Sequence, residues 1–214
     1  MLVYNKSKEK GGVMEKEKNE VLEIIINFVK ACKKGKEHAY IECDGKRIWS
    51  ANYLLNQILR QYYIDDAHIL VSKKAQELWN QIAEEKDIKR FTYRQTFTAK
   101  IDIKVDMYFG AKKDGVLTSV KKGQKVVWNN IFHDEHTIPI NIIIKELCVL
   151  EDLSYENVSK ILDKIYICKM LKQEDRKITN KSDRPSNLVE VVEKIYNSTI
   201  EIYNWSKIKK TIEG

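Results

Sequence analysis

Two of the chain's four histidines and one of its two prolines fall within eight residues, Phe132-His133-Asp134-Glu135-His136-Thr137-Ile138-Pro139. An acidic pair separates the histidines, and Glu135 directly precedes His136. A carboxylate holds a hard divalent cation through oxygen, and a neutral imidazole takes a proton from water. Side by side, the two can bind a metal and activate a nucleophile. Ile131 and Phe132 lead into the cluster and a run of isoleucines follows Pro139, so polar chemistry is set in an apolar frame. An ordinary strand–turn–helix junction has the same frame, with His133 and Asp134 as solvated turn residues. A second acidic pair, Glu174-Asp175, stands at the start of an expected helix. Glu135 from a strand end and Asp175, or Glu174, from that helix can share one cation. His136 would then be the general base for a water attacking a phosphodiester. Acids in a first helical turn also have a plain reason to be there, the helix dipole. The constellation requires the strand expected at 166–171 to pair beside the one at 126–132.

Periodicity supplies the elements that must position these groups. Residues 1–18 are mostly Lys, Glu and Gly and are expected to fray. Asn19 caps a helix reaching Lys33, with Val21, Leu22, Ile25, Ile26, Phe28 and Val29 at helical spacing. Asp44-Gly45 marks a two-residue hairpin turn between Tyr40-Ile41-Glu42-Cys43 and Arg47-Ile48-Trp49. A helix over 51–62, a short strand at Ile69-Leu70-Val71 and a helix capped by Ser72 follow. These pieces fit either a small DNA-reading unit of helix-turn-helix type or a plain packing layer. From about residue 89 the pattern changes to strands: 90–94, then 97–109, where Ile101, Ile103, Val105 and Met107 alternate with polar residues, then 116–120 and 126–128. Helices are expected over 140–150, after Asp152 or Ser154, from Lys172, and from Leu188 to about Trp205. The fold class is α+β. Residues 1–88 form a mostly helical region with a hairpin, and 89–214 form an antiparallel β-rich core with a C-terminal helix.

Composition bounds the function. Of 214 residues 43% are apolar, enough for a sizeable core, and the formal charge of +7 favours an anionic partner, nucleic acid first. Arg90, Arg94, Lys112, Lys113, Lys121, Lys122, Lys125 and Arg176 are the candidate phosphate contacts, although solvated turns are also lysine-rich. No apolar run reaches the roughly 20 residues of a membrane helix. No secretory h-region opens the chain, so a cytoplasmic protein with reduced thiols is expected. Cys32, Cys43, Cys148 and Cys168 form no CxxC pair, which argues against a zinc knuckle.

Glu135-His136-Thr137-Ile138-Pro139 resembles the Asp/Glu-His-x-x-Pro signature of HNH endonucleases, the His-Me finger group, and residues 166–175 resemble its second strand and helix. The likeness covers about 126–180. It implies a ββα-metal finger with a helical insertion, a DNA endonuclease activity, and Mg²⁺ or Mn²⁺ as cofactor. By the resemblance, Glu135 is a metal ligand, His136 the general base, and Asp175 or Glu174 the helix ligand. His133, Asp134 and Asn157 would be supporting residues, with Asn141 also near the place of the family's middle Asn. The chain departs from the family in carrying an acid at the final His or Asn position and in lacking the CxxC pairs. Cutting both strands of a two-fold symmetric duplex further implies a homodimer. The alternative is a non-enzymatic nucleic-acid-binding regulator that uses the basic turns and N-terminal helices. A partner-binding accessory protein is the third reading.

Overall fold

Each element forms where local propensity and a buried stripe coincide. The computed structural model describes residues 6–35, 40–62, 68–83, 96–98, 102–108, 115–127, 130–178 and 184–203. The first half runs α1 (Lys6–Lys33), β1 (Tyr40–Cys43), β2 (Lys46–Ser50), α2 (Ala51–Arg60), β3 (Ile69–Ser72) and α3 (Lys73–Ala83). Then come β4 (Thr96–Thr98), β5 (Ile103–Tyr108), β6 (Gly115–Val120), β7 (Lys125–Val127) and β8 (Phe132–His136). The chain goes on through α4 (Ile140–Val149), α5 (Tyr155–Leu162), β9 (Ile167–Leu171) and α6 (Lys172–Asp175). The last described elements are α7 (Leu188–Val191), a π-turn (Val192–Tyr196), α8 (Asn197–Thr199) and β10 (Ile202–Tyr203). The fold is mixed α/β, and none of its described helices is long and apolar enough to cross a membrane. Two compact units divide the chain: Met1–Tyr63 with Ile140–Lys164, and Ile64–Pro139 with Ile165–Gly214.

The first unit is mostly helical, with one hairpin. α1 begins at Lys6 rather than at Asn19, because Lys, Glu and Met are good helix formers that extend it beyond its apolar stripe. Leu22, Ile25, Ile26 and Val29 bury that stripe with Leu55 and Leu59 of α2, Ile143 and Leu147 of α4, and Val158 and Leu162 of α5. Asp44 and Gly45 turn the β1–β2 hairpin with φ of 52° and 71°, the left-handed pair that a two-residue turn of this kind needs. Ser50 caps α2 by accepting from the Tyr53 N–H at 3.1 Å. Ser154 does the same for α5 through the Asn157 N–H at 3.4 Å.

The second unit is built on a four-stranded sheet of order β10-β3-β9-β8. β8 runs antiparallel to β9, with Phe132 opposite Leu171, Asp134 opposite Lys169 and His136 opposite Ile167. The histidine cluster is therefore the strand itself and not the end of one at 126–132: Lys125–Val127 form the separate strand β7 paired with β4, and β8 begins at Phe132. β3 lies parallel to β9 on its other side, Val71 beside Lys169. Ser72 ends β3 and caps α3, its Oγ accepting from the Ala75 N–H at 3.1 Å. Val71, Ala75, Leu78 and Trp79 pack with Phe132, Ile131 and the inner residues of the β5–β6 hairpin, Ile103, Val105, Met107 and Val120. The expected strand over 97–109 appears as β4 and β5. The expected helix from Leu188 to Trp205 ends at Thr199. Ile200 turns extended (φ −141°, ψ 135°), and β-branched and aromatic Ile202 and Tyr203 join the sheet edge beside β3.

Candidate metal centre

Successive residues of a strand face opposite sides of the sheet. On β8 this alternation separates Glu135 from His136 and unites Glu135 with His133. The Glu135 face also carries Cys168 and Met170 of β9, both fully buried. β9 leads directly into α6, the Lys172 N–H donating to the Ile131 carbonyl at 3.0 Å. That continuation brings Asp175 back over the start of β8.

Three groups meet there. His133 Nε2 lies 3.2 Å from Glu135 Oε2 and 3.7 Å from Asp175 Oδ1. One ligand atom from each of His133, Glu135 and Asp175 lies within 4.8 Å of both others. Glu135 is buried, whereas His133 and Asp175 are partly open to solvent. The set therefore has a closed back and an accessible mouth. An imidazole nitrogen with two carboxylate oxygens is a donor set that fits a divalent cation with room for water or substrate.

Behind Glu135 stands Arg184, whose side chain is 0% exposed and whose Nη2 lies 2.8 Å from Glu135 Oε1. Arg184 Nη1 is 3.1 Å from the Thr137 carbonyl, 3.2 Å from the His136 carbonyl and 3.1 Å from the Tyr196 hydroxyl. A buried carboxylate needs a paired cation or several donors to stay charged, and Arg184 is that cation. The same contacts fix the chain just past β8, where the Thr137 N–H also donates to the Tyr166 carbonyl at 3.0 Å. Burial pushes the Tyr196 hydroxyl well above its ordinary pKa, with the neighbouring Cys168 adding to the shift and Arg184 opposing it.

Glu174 faces elsewhere. Its Oε2 accepts from Ser72 Oγ at 2.5 Å and from the Leu171 N–H at 2.9 Å, tying α6 to β3. Burial raises its pKa, and the hydrogen bonds from Ser72 and Leu171 oppose that rise. On the opposite face of the sheet Asp134 pairs with Lys169, its register partner, at 2.9 Å, and the lysine is almost wholly buried. His136 lies on this second face by the strand's alternation, and its Nε2 is buried.

The remaining expected residues are scattered. Asn157 belongs to the helical unit, where its Nδ2 donates to Asp152 Oδ2 at 2.9 Å, and Asn141 accepts from Asn56 Nδ2 at 3.0 Å. Lys121, Lys122 and Lys125 are exposed around the tight turn between β6 and β7. That turn is ordered by Gly123 at φ 85°, by Gln124 Oε1 accepting from the Lys121 N–H, and by Asp102 Oδ1 accepting from the Lys122 N–H. Arg176 is exposed just after α6, while Arg90, Arg94, Lys112 and Lys113 lie outside the described residues. From the sequence alone His133 ranks below His136, which adjoins Glu135, and Arg184 reads as an ordinary surface arginine. Strand period would have promoted His133, since positions 133 and 135 share a face once the cluster itself is taken as strand. Nothing in the local pattern around Asp183-Arg184-Pro185 signals a buried guanidinium.

No protein-family model, curated protein or solved structure matches the chain.

Proposed function

We propose that the chain is a divalent-metal-dependent nuclease, with His133, Glu135 and Asp175 as the residues that hold the cation. The observation carrying this reading is the convergence of one imidazole and two carboxylates at a partly open site whose back is closed by Arg184. A bound divalent cation lowers the pKa of its water toward neutrality and offsets charge on a phosphoryl oxygen. The protein's own groups do the rest. Arg184 pairs with Glu135 and aims it, α6 carries Asp175 to the strand, and the exposed lysines of the β6–β7 turn offer contacts to a phosphate backbone. The order β8, β9, α6 also matches the strand–strand–helix order of the ββα-metal finger, with α4 and α5 inserted between the strands. In this reading Glu135 and Asp175 keep the ligand roles expected of them, His133 joins them, and His136, expected as the general base, lies on the other face of the sheet. His136 supports the strand from the other face.

The test is cleavage of supercoiled DNA with Mn²⁺, with Mg²⁺ and with EDTA, comparing wild type with His133→Ala, Asp175→Ala and His136→Ala. Metal-dependent cleavage that is lost in the first two variants is the expected result. Cleavage that survives EDTA, or that survives both substitutions, overturns the assignment. The exposed lysine turn favours one second reading, a nucleic-acid-binding regulator. It would show as salt-sensitive binding without cleavage under any metal.

A further inference from the structure

We infer that the His133–Glu135–Asp175 site selects a first-row transition metal such as Mn²⁺, Co²⁺ or Zn²⁺ over Mg²⁺ and Ca²⁺. The inference rests on the metal-site reading above and adds the chemical class of the ion. Three observations carry it. First, one of the three donors is an imidazole nitrogen. Mg²⁺ and Ca²⁺ favour oxygen donors, whereas first-row transition ions accept nitrogen and oxygen together. Secondly, Arg184 occupies Glu135 Oε1 at 2.8 Å, which leaves only Oε2 turned toward His133. Glu135 is thereby limited to one oxygen. Ca²⁺ sites gather six to eight oxygens and commonly use a carboxylate through both, and this site offers two carboxylates, one of them restricted.

Thirdly, the neighbouring carboxylates are engaged elsewhere. Glu174 does not extend the set toward an all-oxygen cage, because its Oε2 is held by Ser72 and the Leu171 N–H. Asp134 does not extend it either, being paired with Lys169 on the other face.

The experiment is calorimetric titration of the full chain with MnCl₂, CoCl₂, ZnCl₂, MgCl₂ and CaCl₂ separately, using wild type and His133→Asp. Wild type should bind at least one of the transition ions about tenfold or more tighter than Mg²⁺ or Ca²⁺. His133→Asp makes the set all-oxygen and should narrow or reverse that ratio. Mg²⁺ or Ca²⁺ binding as tightly as the transition ions in wild type overturns the selectivity and leaves the metal site standing. The same ratio in His133→Asp as in wild type overturns the role given to the imidazole. No binding of any ion overturns the metal site itself. If His133→Asp fails to fold, the wild-type ratio alone decides.

Discussion

Glu174 and Asp175 are neighbours in sequence with different partners in the fold. Glu174 is buried against Ser72 and the Leu171 N–H, and Asp175 faces His133. An acidic pair in a first helical turn is visible in the sequence, but which of the two meets a distant histidine depends on how the helix leaves its strand. The same holds for the two histidines. Position 136 adjoins Glu135 in sequence and looks the better partner, but once the residues are known to be strand, alternation places 133 with Glu135 and 136 on the other face. The difference can be tested at this scale. Glu174→Ala should destabilise the fold by about 1–3 kcal/mol, because the Ser72 hydroxyl and the Leu171 N–H lose their buried acceptor. Asp175→Asn alters a side chain that is partly open to solvent and keeps its shape, so the metal-free protein should change by about 0.5 kcal/mol or less. Urea unfolding of both variants in EDTA measures this. Equal losses would remove the distinction between a structural acid and a ligand.

Among the elements, those with a strong local code were legible. The Asp44-Gly45 hairpin, the Ser72 and Ser154 caps and the apolar stripes of α4 and α5 form where their residues demand. Elements decided by tertiary pairing were not. The segment after Leu188 carries helical spacing to Tyr203, yet Ile202 and Tyr203 leave the helix to pair with Ser72 and Val71. Helix periodicity cannot show that an open sheet edge is waiting for them. In the helical unit, Cys32 near the end of α1 has its thiol pKa raised from 9.0 to about 11, first by burial and then by the nearby Cys148. The sign follows directly. A folded-state pKa above the unfolded one favours the thiol form in the fold. Its contribution to stability is complete below about pH 9 and is lost as pH rises toward 11. Only the thiolate reacts with alkylating agents, so native Cys32 near pH 8 should react about 100-fold more slowly than in the unfolded chain. Mass spectrometry of iodoacetamide-treated protein, with and without urea, reads that ratio. Equal rates in the two states would mean that α1 does not shield the thiol.

At the scale of the molecule, sequence order and spatial grouping part company. Residues Ile140–Lys164 interrupt β8 and β9 in sequence and yet group with Met1–Tyr63. His136 and Ile167 stand opposite each other where the insertion leaves and returns, so the β8–β9 pair is closed whatever lies between. An apolar helix pair such as α4–α5 shows in sequence that it must bury a face, not which distant helices will bury it. Net charge is the other property of the whole chain, and it was legible from the start: +7, with Lys121, Lys122 and Lys125 exposed on one ordered turn. If that turn tracks a phosphate backbone, each lysine that neutralises a phosphate adds about 0.9 to the slope of log affinity against log salt. Replacing all three by alanine should then flatten the slope by up to about 2.7, weaken binding at low salt and leave sequence preference unchanged. Fluorescence anisotropy of a short labelled duplex over a range of salt gives the slope. His133→Ala serves as the comparison, because it removes a metal ligand and no positive turn. A slope unchanged in the triple variant would assign these lysines to solvent alone. A slope flattened by the triple variant and untouched by His133→Ala would separate the surface that gathers nucleic acid from the site proposed to cut it.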